Sequence, residues 1–344
     1  MALVAGKPLA DVTDHGGSLS RAAEMFPRAR GPWLDLSTGI NPFSYPLGAL
    51  PATAFTRLPE AAEMRALGEA AARAYGAPGG GSVVAAPGTQ ILLPLVASLV
   101  PPGRAAILSP TYAEHARAAA LAGHAVEEVR DIDALHDADL AVLVNPNNPD
   151  GRIVPRAELL ALAGHLRGKG GLLVVDEAFM DVGPPSERLD GDVARGGMVV
   201  LRSFGKFFGL AGLRLGFAIA APPLARALGA RLGPWAVSGP ALTVAGRALA
   251  DLSWQEEMRR RLAAQAARLD EALARSGLAA GGGTALFRLV RTPDAQGLFR
   301  RLGEQGILVR RFDHSPDALR IGLPGGEEDF ARLEAALSGA RASN

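Results

Sequence analysis

The chain has 344 residues, of which 48% are apolar and 21% charged, and its formal net charge is +1. This length and balance are typical of one large or two moderate globular domains with a sizeable core. The near-neutral charge provides no basic surface, so nucleic acid is not an expected partner. The sequence contains no cysteine, which excludes disulfides, thiolate catalysis and cysteine-bound metals.

No stretch of the sequence approaches the roughly 18 uninterrupted apolar residues of a membrane span. The first seven residues, MALVAGK, do not have the layout of a signal peptide. We therefore expect a cytoplasmic protein that makes no membrane contact and binds no metal.

Residues 1–45 have little regular pattern, and we expect this N-terminal segment to pack against the small domain and the active site. It contains His15-Gly16-Gly17, followed by a stretch from Leu34 to Pro42 that predicts a short strand entering a turn.

Residues 46–232 alternate between strands and helices and form the predicted large domain. The predicted strands lie near residues 82–86, 105–108, 125–129, 140–144, 172–175, 198–201 and 215–220. The predicted helices cover residues 60–75, 87–99, 109–122 and 156–166. Continuous apolar strands between helices indicate an α/β fold with a mostly parallel sheet covered on both faces.

Residues 233–344 have a different pattern, which predicts a smaller α+β domain. A long amphipathic helix is predicted from Ser253 to Arg275. Strands are expected near residues 285–290, 307–309 and 319–322, and helices near 295–304 and 327–337.

One lysine stands out against the composition. The chain has 36 basic residues, but only Lys7, Lys169 and Lys206 are lysines. Lys206 lies in the glycine-rich and aromatic segment Ser203–Gly216. A desolvated lysine can lose its proton and form a Schiff base with a carbonyl, which arginine cannot do.

Polar residues follow several of the predicted strands, at the sheet edge where ligands bind in open α/β folds. These residues are Gly88, Thr89, Gln90, Tyr112, Asn148, Asp176, Ser203 and Arg214. They offer an anion cradle, an aromatic face, an amide and a buried carboxylate beside the lysine. Together they predict a site for pyridoxal phosphate, whose ring nitrogen the carboxylate would keep protonated. No phosphate-binding P-loop and no dinucleotide-binding glycine motif is present.

Three motifs carry a resemblance to a known family. They are Asn-Pro-Asn-Asn-Pro-Asp-Gly at 145–151, Asp-Glu-Ala-Phe at 176–179, and the segment from Ser203 to Arg214. With them the chain resembles the class I/II aminotransferase superfamily, the fold-type I pyridoxal-phosphate enzymes, over nearly its whole length. The most similar groups are the histidinol-phosphate aminotransferases and the threonine-phosphate decarboxylases of the cobalamin pathway.

The resemblance implies a fold, an assembly and a set of site residues. The fold is a large domain with a mostly parallel seven-stranded sheet between helices, plus a smaller α+β domain, and the assembly is a homodimer. Lys206 would bond the cofactor, Asp176 its ring nitrogen and Asn148 its ring hydroxyl, while Tyr112 would stack on the ring. Its phosphate would be held by Gly88, Thr89, Gln90, Ser203 and Arg214. Lys206, Asp176 and Tyr112 would be catalytic, and Arg320 would bind the substrate carboxylate.

Three features bear on the choice between the two groups. Phe179 stands where most aminotransferases of this kind have a tyrosine, as in the decarboxylases. The segment His15-Gly16-Gly17, with the later stretch around Asn41, is similar to the decarboxylase segment that binds the substrate phosphate. Leu58 lies where the aminotransferases often have a tyrosine that reaches the neighbouring subunit, so that contact is not expected here.

The resemblance implies decarboxylation of L-threonine O-3-phosphate to (R)-1-aminopropan-2-yl phosphate, with His15, Gly16, Gly17, Asn41, Asn148 and Arg320 binding the substrate. The partner of the substrate phosphate is left open between His15, Ser37 and Arg57. The main alternative is a histidinol-phosphate aminotransferase or a related transaminase. A binding or regulatory domain without catalysis is a weaker alternative, because the lysine is present and no DNA-binding segment is attached.

Overall fold

The computed structural model describes residues 15–338 of the chain, so Lys7 and the first part of the N-terminal segment lie outside the described residues. The described chain opens with helix α1 (Leu19–Met25) and strand β1 (Leu34–Asp35). The short strand predicted near Leu34 is therefore present.

A seven-stranded sheet forms the centre of the fold. Its strands are β2 (Val83–Ala86), β3 (Arg104–Leu108), β4 (Ala125–Val129), β5 (Leu140–Val144), β6 (Leu172–Asp176), β7 (Met198–Ser203) and β8 (Gly216–Ala220). They lie in the order β2-β8-β7-β6-β5-β3-β4. Strand β8 runs in the opposite direction to the other six strands, which are parallel to one another. This confirms the predicted mostly parallel sheet.

Helices cover both faces of this sheet. They are α2 (Thr53–Thr56), α3 (Ala61–Tyr75), α4 (Thr89–Ala97), α5 (Glu114–Leu121), α6 (Arg156–Gly168), α7 (Phe204–Phe207) and α8 (Pro222–Leu232). Successive strand residues point to opposite faces of the sheet, so the strands contribute side chains to two apolar clusters, one on each face. In β6, for example, Leu173 and Val175 pack in one cluster, and Leu172 and Val174 pack in the other.

Helix α9 (Gly239–Ala250) packs against α3 and α2. The elements that follow it form an antiparallel sheet with helices α10 (Leu252–Arg275), α11 (Ala295–Glu304) and α12 (Glu327–Ser338). The strands are β9 (Ala280–Thr284), β10 (Phe287–Arg291), β11 (Ile307–Leu308), β12 (Arg310–Arg311) and β13 (Ala318–Gly322). The four-stranded sheet has the order β12-β13-β10-β9, whereas β11 pairs in parallel with β1. The N-terminal segment is thereby tied to the C-terminal part of the chain.

Several elements, among them β9, α8 and α9, were not predicted from the sequence. Strand β9 is mostly glycine, and glycine gives no strand propensity or alternating pattern. Helices α8 and α9 begin at or next to proline and are rich in alanine. Alanine contrasts weakly with polar residues, so the helical periodicity of these segments is hard to detect in the sequence. The helix expected from residue 109 begins at Glu114, which leaves Tyr112 in the preceding loop.

Within residues 15–338, no helix is both long enough and apolar enough to cross a membrane. In the same part of the chain, no group of three or more histidine, aspartate or glutamate side chains is arranged to hold a metal ion.

Candidate active site

The carboxyl edge of the central sheet opens into a cavity of about 680 Å³. Most of the side chains predicted for the site line it: His15, Gly16, Gly88, Thr89, Gln90, Tyr112, Asn148, Asp176, Phe179, Ser203, Lys206, Arg214 and Arg320. They meet because the parallel strands all end at this edge, and each loop starts where its strand stops. Of the predicted residues, Gly17 and Asn41 are not in the cavity wall.

Lys206 lies on the short helix α7, which follows β7 directly. Burial lowers the pKa of its ammonium group from 10.5 to about 8, and the nearby charge of Arg320 acts in the same direction. Asp176 partly offsets both effects. A substantial fraction of this lysine is therefore an uncharged amine at mildly alkaline pH, which is the form that bonds to a carbonyl carbon.

Asp176 ends β6 and is 5% exposed. Its Oδ1 accepts the backbone N–H of Ala178 at 3.0 Å, and its Oδ2 lies 2.9 Å from Nε2 of His115 on α5. Strand alternation directs Asp176 to the face that α5 covers, whereas the next residue, Glu177, faces the other side of the sheet. The carboxylate is thus fixed in orientation by two partners at once.

An anion cradle lies between β2 and β8. Gly88 precedes α4 and has a φ of +88°, which favours glycine. A Cβ atom at this position would lie 2.8 Å from Nη2 of Arg214, so a side chain would fill the space in front of the guanidinium. The N-terminal amides of α4, Ser203 and Arg214 make a donor set suited to a phosphate group.

Tyr112 lies in the loop between β3 and α5 and lines the cavity with its ring. Its hydroxyl donates to Oε1 of Gln90 at 3.1 Å. Burial raises the pKa of Tyr112 to about 12, with further contributions from Glu114 and Asp176. The phenol is therefore neutral at physiological pH and acts as a hydrogen-bond donor.

Arg320 is in β13, between β12 and β10, and is 7% exposed. Its guanidinium donates to Asn148 Oδ1 at 2.5 Å and to the carbonyl of Ser37 at 2.6 Å. Its Nε is buried and has no hydrogen-bond partner among the described residues. Burial and the neighbouring Arg310 lower the pKa of Arg320 to about 9, so the guanidinium is still charged at neutral pH.

The segment His15-Gly16-Gly17 covers one side of the cavity. The backbone N–H of Gly17 donates to Ser37 Oγ at 2.7 Å. A Cβ on Gly16 would lie 2.5 Å from the carbonyl oxygen of Ser37, so the close contact of the two backbones requires glycine. His15 and Gly16 reach the cavity, whereas Gly17 is engaged in holding the segment in place.

Asn41 has a different position from the one expected. Its side-chain amide donates to the carbonyl of Phe207 at 2.8 Å, and its Oδ1 accepts the N–H of Phe43 at 2.8 Å. Its own backbone N–H donates to the carbonyl of Lys206 at 3.0 Å. We therefore reassign Asn41 from substrate binding to holding the lysine loop.

The donor set fits pyridoxal phosphate. The cradle at Gly88 suits its phosphate, the oriented carboxylate of Asp176 suits a ring nitrogen, and Lys206 suits its aldehyde. Phe179 presents a ring 5.8 Å from Lys206 Nζ and no hydroxyl.

Comparison with protein families matches residues 54–336 to aminotransferase class I and II. The chain belongs to this family. Within the class I and II aminotransferases, it is similar to two curated proteins named threonine-phosphate decarboxylase. The one from Pseudomonas aeruginosa is 46% identical over 329 residues, covering 95% of this chain and 97% of that protein. The one from Sinorhizobium sp is 44% identical over 326 residues, covering 94% and 97%.

A solved structure has the same fold as this chain. It is the histidinol-phosphate aminotransferase from Sinorhizobium meliloti in complex with pyridoxal-5'-phosphate, with a TM-score of 0.80 at 22% identity and coverage of 99% of both chains. At that identity the similarity shows the fold alone.

Several residues at the site were not predicted from the sequence of this aminotransferase-family chain. Glu114 on α5 and Arg310 on β12 line the cavity, and His115 on α5 lies behind the wall beside Asp176. His115 and Glu114 follow Tyr112 within one helical turn, which is the signal that could have indicated them. Arg310 is brought to the cavity by the pairing of β12 with β13, opposite Arg320, which short-range patterns in the sequence do not reveal.

Proposed function

We propose that the protein is a pyridoxal-phosphate-dependent decarboxylase that converts L-threonine O-3-phosphate to (R)-1-aminopropan-2-yl phosphate in cobalamin biosynthesis. The observation that carries this proposal is the pair of guanidinium groups, Arg310 and Arg320, in the wall of the cavity that also holds Lys206. A substrate with both a carboxylate and a phosphate would neutralise both charges. The names of the two relatives above 40% identity support the same substrate.

When bound, the cofactor supplies an aldehyde for amines and a ring that withdraws electrons from the substrate Cα. Asp176 holds the proton at the ring nitrogen, and His115 and Ala178 keep its carboxylate in place. Gly88, Thr89, Gln90, Ser203 and Arg214 hold the cofactor phosphate.

The substrate is held by groups at the other side of the cavity. Arg320, whose Nε has no partner among residues 15–338, binds one anionic group together with Asn148. Arg310, His15 and the backbone of Gly16 bind the second. Anchoring both ends would orient the Cα–carboxylate bond for cleavage to CO₂, with the electron pair of that bond passing to the bound cofactor. Lys206 would then deliver a proton to Cα, which its lowered pKa permits near neutral pH.

Two sequence candidates for the substrate phosphate are weaker in this geometry. The Ser37 hydroxyl accepts from Gly17 and donates to Asp35 at 2.6 Å, so it is already engaged. Arg57 is not among the cavity residues. His15 and Arg310 are therefore the better partners.

The test incubates the cofactor-loaded protein with L-threonine O-3-phosphate and measures CO₂ and the amine product. We expect CO₂ release without any 2-oxoacid. Formation of L-glutamate from 2-oxoglutarate, with histidinol phosphate as the amino donor, would instead establish the aminotransferase alternative. The fold does not separate the two, because a histidinol-phosphate aminotransferase has it as well.

A homodimer is the second part of the proposal. Four large apolar side chains are exposed near the segment that packs on α9: Leu47, Phe55, Leu58 and Trp235. Phe55 and Leu58 are 67% and 64% exposed, which is costly for a monomer and suits contact with a second copy of this chain. Light scattering on Phe55→Asp/Leu58→Asp tests it. A monomeric double variant supports the interface, and a dimeric one contradicts it. Cytoplasmic location stays a prediction from the sequence.

A further inference from the structure

Among residues 15–338, Glu114 is one of three carboxylates in the cavity wall, with Asp176 and Asp313. It is 5% exposed and lies at the start of α5, two residues after Tyr112. A negative charge at this position repels the anionic groups of a phosphorylated amino acid, and its burial is itself unfavourable. Such a residue requires a compensating function, and its contacts indicate one.

Both oxygens of Glu114 are engaged, and they face different parts of the site. Oε2 accepts from Nε2 of Gln90 at 2.6 Å, and Arg117 lies 3.7 Å from the same oxygen. Oε1 lies 3.3 Å from Nε2 of His15. Glu114 thus contacts the start of α4, where the cofactor phosphate is held, and also the N-terminal segment over the substrate.

The contact with Gln90 extends to the ring of Tyr112. Because Glu114 accepts from the amide nitrogen of Gln90, the amide oxygen of Gln90 faces Tyr112 and accepts its hydroxyl at 3.1 Å. The chain of contacts therefore runs from Tyr112 through Gln90 and Glu114 to His15. His15 itself is 47% exposed and has a ring centroid 6.3 Å from that of Tyr112.

The N-terminal segment is also attached close to the cavity through Gly17, whose N–H donates to Ser37. Ser37 belongs to the strand region joined to β11. The link through Glu114 is different because it connects the segment to the central sheet and its helices. Loss of this link would free His15 while the attachment at Ser37 persisted.

We propose that Glu114 is a positioning residue that fastens His15 and the segment 15–17 over the cavity, so that the segment is in place to receive the substrate phosphate. The inference rests on the proposed function for the identity of the substrate. It concerns substrate binding through His15, and Glu114 itself takes no part in the bond-breaking step.

The test compares Glu114→Gln, which keeps the shape and removes the charge, with the wild-type holoenzyme. We expect KM for L-threonine O-3-phosphate to rise about tenfold, with kcat changed by less than about threefold. Amide hydrogen exchange in residues 15–25 of the holoenzyme should be faster in Glu114→Gln, already without substrate. Glu114→Asp, which keeps the charge, should recover part of both effects.

The matched control is Glu127→Gln on β4, which removes an exposed carboxylate paired with Arg104 at 2.8 Å. It should leave KM and exchange unchanged. Wild-type KM and wild-type exchange in Glu114→Gln would overturn the inference, as would a fall in kcat at unchanged KM. If the wild-type protein releases no CO₂ from threonine phosphate, the proposed function fails. The exchange comparison without substrate then decides the inference by itself.

Discussion

His115 Nε2 lies 2.9 Å from Asp176 Oδ2, and both side chains are almost completely buried beneath the cavity. The histidine comes from α5 and the aspartate from the end of β6, 61 residues apart in the chain. This contact makes α5 a support for the carboxylate that would face the cofactor ring nitrogen.

We predict that His115→Phe lowers kcat by roughly tenfold or more, because the buried Asp176 loses a charge-assisted hydrogen bond. The measurement is steady-state decarboxylation, together with the absorbance spectrum of the bound cofactor. His165→Phe is the control, because this exposed histidine contacts the ring and the backbone carbonyl of His136 and does not line the cavity. A kcat within twofold of wild type for His115→Phe would contradict the proposed support.

Attachment of the cofactor should depend on pH through Lys206. The folded-state pKa is lowered to about 8, so the reactive free amine increases with pH below that value and is nearly constant above it. When apoprotein is mixed with pyridoxal phosphate, the rate should rise about tenfold per pH unit below 8 and then level off. Nα-acetyl-lysine serves as the unburied comparison. A protein rate that keeps rising up to pH 10, as for free lysine, would argue against the lowered pKa.

Gly88→Ala should weaken cofactor binding. The new methyl group would meet Arg214 Nη2 at 2.8 Å, and the φ of +88° is unfavourable for alanine. Gly76→Ala is a close match, since Gly76 has a φ of +80° with no atom within 4 Å of the added Cβ. Both variants should lose about 1 kcal/mol of stability. Only Gly88→Ala should raise the Kd of the cofactor in a fluorescence titration. Equal Kd values for the two variants would show that Gly88 is not part of the phosphate cradle.

A buried ion cluster beneath the lysine loop should be essential for stability. Arg202 of β7 is completely buried, lies 3.0 Å from Glu177 and also pairs with Asp190. Arg202→Met should lower the free energy of unfolding by about 3–5 kcal/mol, because two buried carboxylates lose their cation. Arg260→Met, at an exposed pair with Glu257, should leave it almost unchanged. Denaturant unfolding of the apoproteins measures both.

The sequence was informative where the chemistry and the strand pattern coincide. Lys206, Asp176 and Asn148 each follow an apolar strand, and the edge of a parallel sheet brings such positions together. Asn41 was misplaced because an asparagine in a turn serves the backbone as readily as a ligand, and only its contact with Phe207 distinguishes the two. Arg310 could not be found because its position depends on the pairing of two strands in the smaller sheet. Likewise, the glycines of β9 carry no pattern that indicates a strand.

Asp176 and Glu177 are neighbours in sequence with separate tasks, one beside the cavity and the other beside Arg202. The placement of the two side chains on opposite faces of the sheet depends on the register of β6, since a shift by one residue would move each side chain to the other face. The pairing of Glu177 with the buried Arg202 opposes such a shift, because the shift would remove one of the two carboxylates that neutralise the guanidinium. The ion cluster thus favours the correct register of β6. When the cluster forms, Asp176 is already on the face of the sheet that would meet the cofactor.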